Sequence, residues 1–507
     1  IYVERVRANV KRQALYCDML GSARWVGELA QRYPAREITP LTPWFANISI
    51  HDVEITGCST LVDVSALPEK PVKNFFFGNV KAHCDRIGKI CDATKFSMKD
   101  VRIESCDTVM RIDNCDYASF FGFSNVTTGS SVKIEKTGGE CRYLNVQTYP
   151  LVPVNYQSIR PGEVWLDTEG KPIQAHGFQV TFREGKYYWY GEDKTHTLFG
   201  TNRMFGGVRC YSSTDFYNWK DEGRIIEPAT DPHSPLHHCQ KLERPHILYC
   251  AKTGRYVCWL KSQSNDGHFV ILEAEHFMGP YHFVRNLKPN GFAVGDFDMY
   301  ADPDTGKGYV WFERPHWEQI CAELSDDYTN VNGRYSEHFV GKVPPFTREA
   351  AAHFVMDGKH YIYTSGTTSY TPNPSEVAVF DDYHGEYTVL GNPHIGDEYA
   401  HSFCSQITSV IKIPGKDLYV AMADRWLPHT NKTDIPKKDW QSFLTRYKDH
   451  RPYPKDFATP KVADRFYTLV NPNQDVYKAT YVFLPIVVKD GIPMIEWKDE
   501  WKLENYE

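Results

Sequence analysis

The stretch DGKHYIYTSG at 357–366 opens on an Asp-Gly turn pair and continues with alternating aromatic and aliphatic residues. That combination is a β-hairpin signal. Variants of it stand at 184–192 (EGKYYWYGE), 253–261 (TGRYVCWLK), 305–313 (TGKGYVWFE) and 414–424 (PGKDLYVAMAD). Their turn glycines are Gly185, Gly254, Gly306, Gly358 and Gly415, in steps of 69, 52, 52 and 57 residues. A four-stranded sheet with its loops takes roughly 40–50 residues, so each phrase marks one propeller blade. Five such units predict an all-β, five-bladed β-propeller. Its innermost strands converge on a central funnel, and polar residues at the starts of those strands are aimed at one ligand.

The chain has 507 residues, too many for one ordinary core, so two or more domains are expected. Its net charge is −7 and no long basic run occurs, which argues against a nucleic-acid partner. No apolar stretch is long enough for a membrane span. Aromatic residues make up 14% of the chain, a composition that fills strand cores and also offers flat platforms for sugars. The 13 cysteines include no Cys-x-x-Cys pair and no zinc spacing, so they read as small buried hydrophobes. His237-His238-Cys239 carries metal-ligating residue types, but neither a metal nor a cofactor is expected.

The first part has a repeat of its own. NISIHDVEITGC (47–58), NFFFGNVKAHC (74–84) and KFSMKDVRIESC (95–106) each run from short alternating strands to a Cys, and YASFFGFSNVTT (117–128) follows at similar spacing. Val53, Val80 and Val101 hold matching places, 27 and 21 residues apart. A period in the twenties predicts a partial right-handed parallel β-helix, interrupted over 10–33 by partly helical or loop-like chain. TYPLVPVNYQSIRPGE, with Pro150, Pro153 and Pro161, reads as the linker. The expected domains are a β-helix over 1–150 and a propeller over 151–507.

The β-helix segment resembles the C-terminal coils of pectinase-type glycoside hydrolases of family 28, carried by ALYCDMLG (14–21), ALPEKPVKNFFFGNV (66–80) and the strand runs above. Nothing that matches that family's aspartate motifs precedes residue 47, so the resemblance implies a non-catalytic β-helix.

Upstream of each hairpin stand polar residues: IQAHG (173–177), LERPH (242–246), VGDFDMYAD (294–302), TREAAAH (347–353) and SFCSQITS (402–409). The three alanines after Glu349 suggest open space beside a partly desolvated carboxyl. Desolvation raises a carboxyl pKa, as a general acid requires. The second ERPH, Glu313 to His316, follows its hairpin rather than preceding it, and no role is expected for Glu313.

These motifs, with YYWYGE, ERPHILY, REAAAH, GKHYIYTSGTTSYTPNP, SQITSV and DRWLP (424–428), resemble glycoside hydrolase family 43 over about 160–500, closest to its exo-β-1,3-galactanase subgroup. The resemblance implies an inverting, exo-acting hydrolase that removes terminal galactose from β-1,3-linked galactan or arabinogalactan. It makes Glu349 the general acid and Asp296 the residue that tunes it, with Asp298 as the alternative. It places Glu243 beside the sugar and makes Gln406 the base in an imidic-acid form; because an amide is a very weak base, Glu243 is chemically the more ordinary proton acceptor, and both stay open as the base. Gln174, His176, Glu192, Arg244 and Asn373 are expected to hold sugar hydroxyls. HGFQV (176–180) departs from a Gly-rich run and is expected to bring Phe178 near the funnel. Two alternatives stay open: an α-L-arabinofuranosidase or other pectin side-chain glycosidase, and a carbohydrate-binding propeller without turnover. The expected partner is a plant-type oligo- or polysaccharide, and the expected location secreted or periplasmic.

Overall fold

A computed structural model describes residues 1–148, 154–197, 204–263, 267–342, 344, 346–368, 370, 372–398, 400–426 and 476–507. Pro150, Pro153, Ser369, Thr371 and the Leu427-Pro428 end of DRWLP, which the sequence reading used, lie outside these residues. The chain divides into two compact units, the first chiefly residues 1–154 and the second chiefly 155–168, 172–199 and 204–507.

The first unit is a parallel β-solenoid. Tyr2–Asn9 pairs in parallel with Ala46–Ser65, which pairs with Val72–Glu104, then Val109–Asp116, then Lys133–Gly138. Val53 lies beside Val80, as their shared pattern predicted. Each coil has one apolar face, and stacking seals it: Val53, Val80, Phe96, Ile103 and Ile112 belong to one continuous core. Residues 13–18 differ from expectation. Gln13–Asp18 is a strand that pairs with Thr60–Ser65, and only Ala23–Ala30 is helical. Pairing to a finished coil outweighs weak local propensity.

The second unit is a five-bladed propeller. Four sheets have four strands each and run straight through in sequence order, starting at His176, Leu242, Phe297 and Arg348. The fifth combines Gln406–Lys412 and Tyr419–Arg425 with Thr480–Lys489 and Ile492–Glu496, and takes His394–Ile395 at its edge. The first strands touch one another in ring order, and the fifth returns to the first. All five turn glycines join first and second strands, with φ between +67° and +79°. Glycine takes that region without steric cost, which is why the hairpin phrase recurs.

Aromatic packing closes the ring. Trp189 of blade one meets Tyr481 of blade five edge-on at 4.5 Å, and Trp165 and Phe483 join the same cluster. Removing such a buried ring costs about 3–5 kcal/mol. Ile159 and Trp501 exchange backbone hydrogen bonds of 2.9 and 3.0 Å, which ties the start of the unit to its end. Trp189, Trp219, Trp259 and Trp311 are fully buried, so much of the aromatic excess is core. Among the described residues no cysteine is paired, and no helix is long and apolar enough to cross a membrane.

Candidate active site

The blade plan selects which residues reach the funnel. In each blade, one residue at the start of the first strand lies opposite one of the last two residues of the second. His176 faces Glu192, Glu243 faces Lys261, Glu349 faces Ser365, and Gln406 faces Asp424. In blade three Asp296 and Glu313 hold the matching place through backbone hydrogen bonds. Ten positions from five blades thus meet at one end of the ring.

Just after these starts the first strands bulge. The register slips after His176, Glu243 and Glu349, and the next residues, Gly177, Arg244 and Ala350, have φ of +53°, +52° and +50°. A bulge re-aims side chains, and left-handed backbone at Arg or Ala is strain of the kind functional sites retain. The alanines after Glu349 are therefore not beside open space, as expected from sequence. Ala350 takes the bulge, and Ala351 and Ala352 are buried in the packing around blade four.

Glu192, Glu243, Asp296, Glu349 and Gln406 line one cavity of about 120 Å³. Arg244 organises it. Its guanidinium meets Asp296 at 2.9 Å, the Gln406 oxygen at 2.8 Å and Thr408 Oγ1 at 3.1 Å, while its backbone N–H donates to Glu192 at 3.0 Å. Lys261 lies 2.6 Å from both Asp296 and Glu243. Lys241 reaches Glu243 at 3.3 Å, and Lys194 pairs with Glu192.

The charges separate the carboxyls into two kinds. Burial pushes Glu349 well above the usual carboxylate range, and the negative charges of Asp296 and Glu313 push it further. Burial alone would raise Asp296 too, but Arg244 and Lys261 outweigh it and hold Asp296 low. Glu243 is held low in the same way, by Lys261, Lys241 and Lys194. One carboxyl raised and a neighbouring one lowered is the separation that acid–base chemistry needs. Asp298 is not in the cavity: it pairs with His246 at 2.9 Å and accepts from the His353 backbone at 2.6 Å. Asp296 is the aspartate that lines the cavity with Glu349.

Gln406 differs from expectation. Its Nε2 donates to Glu349 Oε1 at 3.3 Å and to Ser365 at 2.9 Å, and its oxygen accepts from Arg244 and, at 3.1 Å, from the Trp426 indole. Both partners of the oxygen are donors only, which fixes the side chain as an ordinary amide in this orientation. It touches Glu349 instead of standing apart from it across the cavity.

Three expected sugar contacts are also corrected. His176 is fully buried, with Nδ1 2.9 Å from Asp424 and Nε2 3.3 Å from both Gln174 and Tyr481. The Gln174 amide donates to the Tyr477 carbonyl at 3.0 Å. Asn373 bonds the Gly366 backbone at both N–H and C=O, 2.8 Å each. Gln174 and His176 are spent on joining blades one and five, Asn373 on closing a turn within blade four, and Phe178 packs against Trp189 and Phe483 in the core. Glu192 and Arg244 do line the cavity. Sequence reasoning missed Lys241, Lys261, Gln263, Tyr370 and Trp426. Lys261 could have been found, since YVCWLK ends on it where YYWYGE ends on Glu192. His237, His238 and Cys239, away from this cavity, bring one ligand atom each within 4.8 Å of one another.

The sequence model of glycosyl hydrolases family 43 matches residues 178–410, from the first strand of blade one to that of blade five. The propeller is a glycosyl hydrolase family 43 domain. It is the domain of a glycosidase. No curated protein sequence matches the chain. Among solved structures, two family 43 β-1,3-galactosidases are each 27% identical to it, with TM-scores of 0.56 and 0.55. They cover 69% and 68% of this chain. The match spans 65% of the first protein's length and 100% of the second's, which was solved with galactodeoxynojirimycin. An exo-β-1,3-galactanase from Clostridium thermocellum is 25% identical over 68% of this chain and 66% of its own, with a TM-score of 0.52.

Proposed function

We propose that the protein is an inverting exo-β-1,3-galactosidase acting on galactan or arabinogalactan side chains. The observation that carries this is Glu349, a carboxyl at a cavity of about 120 Å³ whose pKa is raised by desolvation and by the charges of Asp296 and Glu313. A dry cavity of comparable size admits one ring-sized group, which suits removal of a single terminal sugar. A binding-only propeller has no use for a half-buried carboxyl raised by desolvation and by neighbouring carboxylates. The two β-1,3-galactosidase structures support galactose over arabinose.

In this reading Glu349 protonates the departing glycosidic oxygen. Asp296, ionised between Arg244 and Lys261, keeps the acid's proton on until the bond polarises. The water is held by Glu243 or by Gln406. Glu243 is an ionised carboxylate, the ordinary acceptor for a water proton, although the lysines around it weaken its basicity. Gln406 is tied to the acid and needs substrate to part the two before a water could stand between them. Inversion sets acid and base about 6.5–9.5 Å apart across the sugar. The solenoid is read as a non-catalytic companion. Hydrolysis of β-1,3-galactobiose followed by NMR tests the proposal: α-galactose should appear first. A β-anomer would overturn inversion, and no hydrolysis would overturn the substrate.

A further inference from the structure

The second ERPH motif, which the sequence reading left without a role, forms one wall of a second cavity. This cavity is about 580 Å³ and shares Lys261, Gln263, Asp296 and Glu349 with the smaller one. Its own wall is the turn from Glu313 to Trp317, directly after the second strand of blade three. The acid carboxyl therefore borders both spaces. A general acid must reach the oxygen between the sugar that is released and the group that leaves. One cavity holds the first, so the other lies where the second must go.

The turn is built to present an aromatic face. The Glu313 carboxylate accepts from the His316 backbone N–H at 2.7 Å and lies 3.4 Å from the His316 ring, with His316 at φ +62°. Backbone bonds from Trp317 to Arg314, and from Arg314 to Glu318, both 2.9 Å, close the turn. Trp317 is 62% exposed, while the other tryptophans of the blade cores are fully buried. Its indole is backed by the Arg314 guanidinium at 4.8 Å. That guanidinium also lies over Phe292 at 5.4 Å and pairs with Glu318 at 2.7 Å. A large apolar ring held rigid at a cavity mouth loses little entropy when a flat ligand covers it.

We propose that the Glu313–Glu318 turn is the leaving-group subsite, and that Trp317 stacks on the sugar next to the scissile bond. Glu313 then has two tasks: it fixes the turn, and its charge helps keep Glu349 protonated. The ligand class is a pyranose unit of an oligosaccharide chain, so the enzyme distinguishes chain ends from small galactosides through this turn.

This inference rests on the galactosidase reading, and two substrates separate the failures. β-Galactosyl fluoride fills only the small cavity, whereas β-1,3-galactotriose extends into the large one. Trp317→Ala should lower kcat/KM on the trisaccharide about tenfold or more, the scale of an interface anchor, and leave the fluoride unchanged. Trp317→Phe should recover most of the loss. Equal effects on both substrates, or none on the trisaccharide, overturn the subsite alone. A wild-type protein that turns over neither substrate overturns the galactosidase reading and this subsite with it.

Discussion

The Gln406 amide nitrogen lies 3.3 Å from the Glu349 carboxyl oxygen, and the Gln406 oxygen lies 2.8 Å from Arg244, which in turn holds Asp296 at 2.9 Å. One unbroken path therefore joins blades four, five, two and three at the cavity. It binds the proposed acid to the group that tunes it, so a change at either end is felt at the other.

Glu349→Gln removes the proton donor while keeping the shape. Turnover of β-1,3-galactobiose should fall about 10²–10⁴-fold, the usual worth of a general acid. β-Galactosyl fluoride should suffer much less, because fluoride needs little help to leave. Steady-state rates on the two substrates decide it, and an unchanged rate on the disaccharide refutes the role.

Asp296→Asn should move the alkaline limb of the pH–rate profile to lower pH. The acid works only while protonated, so activity is lost as pH rises through the Glu349 pKa. That pKa is raised by burial and then by the Asp296 charge. The substitution removes that charge and leaves Arg244 and Lys261 less neutralised, and both changes favour the ionised acid. A shift of about one pH unit or more in kcat/KM is expected. A limb that stays in place would separate Asp296 from the acid.

Glu243 and Gln406 are told apart by rescue. If Glu243 takes the water's proton, Glu243→Gln should nearly abolish hydrolysis and azide should restore turnover as a glycosyl azide. If Gln406 does, Gln406→Ala is the severe lesion and Glu243→Gln responds to no azide. Mass spectrometry of the products distinguishes the two outcomes.

His176→Ala should act on stability rather than on sugar binding. The ring is buried against Asp424, and its loss strands a carboxylate between blades one and five. The cost should be about 1–3 kcal/mol or more, read as a lower thermal midpoint. A raised KM with an unchanged midpoint would return His176 to the sugar.

Much of the fold was legible because its determinants are local. Five Gly turns followed by alternating residues specify five hairpins, and the Val53 and Val80 spacing specifies stacked coils. Residues that start first strands were also legible, which is how Glu349, Asp296, Glu243 and Gln406 came out of one list. The same rule placed Gln174 and His176 too near the sugar. A strand start reads alike whether its side chain faces the cavity or the neighbouring blade.

The sequence by itself determined the repeat, the turns and the residue types available at the funnel, because hairpin geometry depends on a few adjacent dihedral angles. Only the tertiary structure decided which of those residues meet. The bulges at Gly177, Arg244 and Ala350 turn the chain by amounts no periodicity records. The three lysines that surround Glu243 come from separate stretches of blades one and two, and their effect on it exists only after burial excludes water. Desolvation and charge act through space, so the raised Glu349 and the lowered Glu243 are properties of the closed ring, not of either motif.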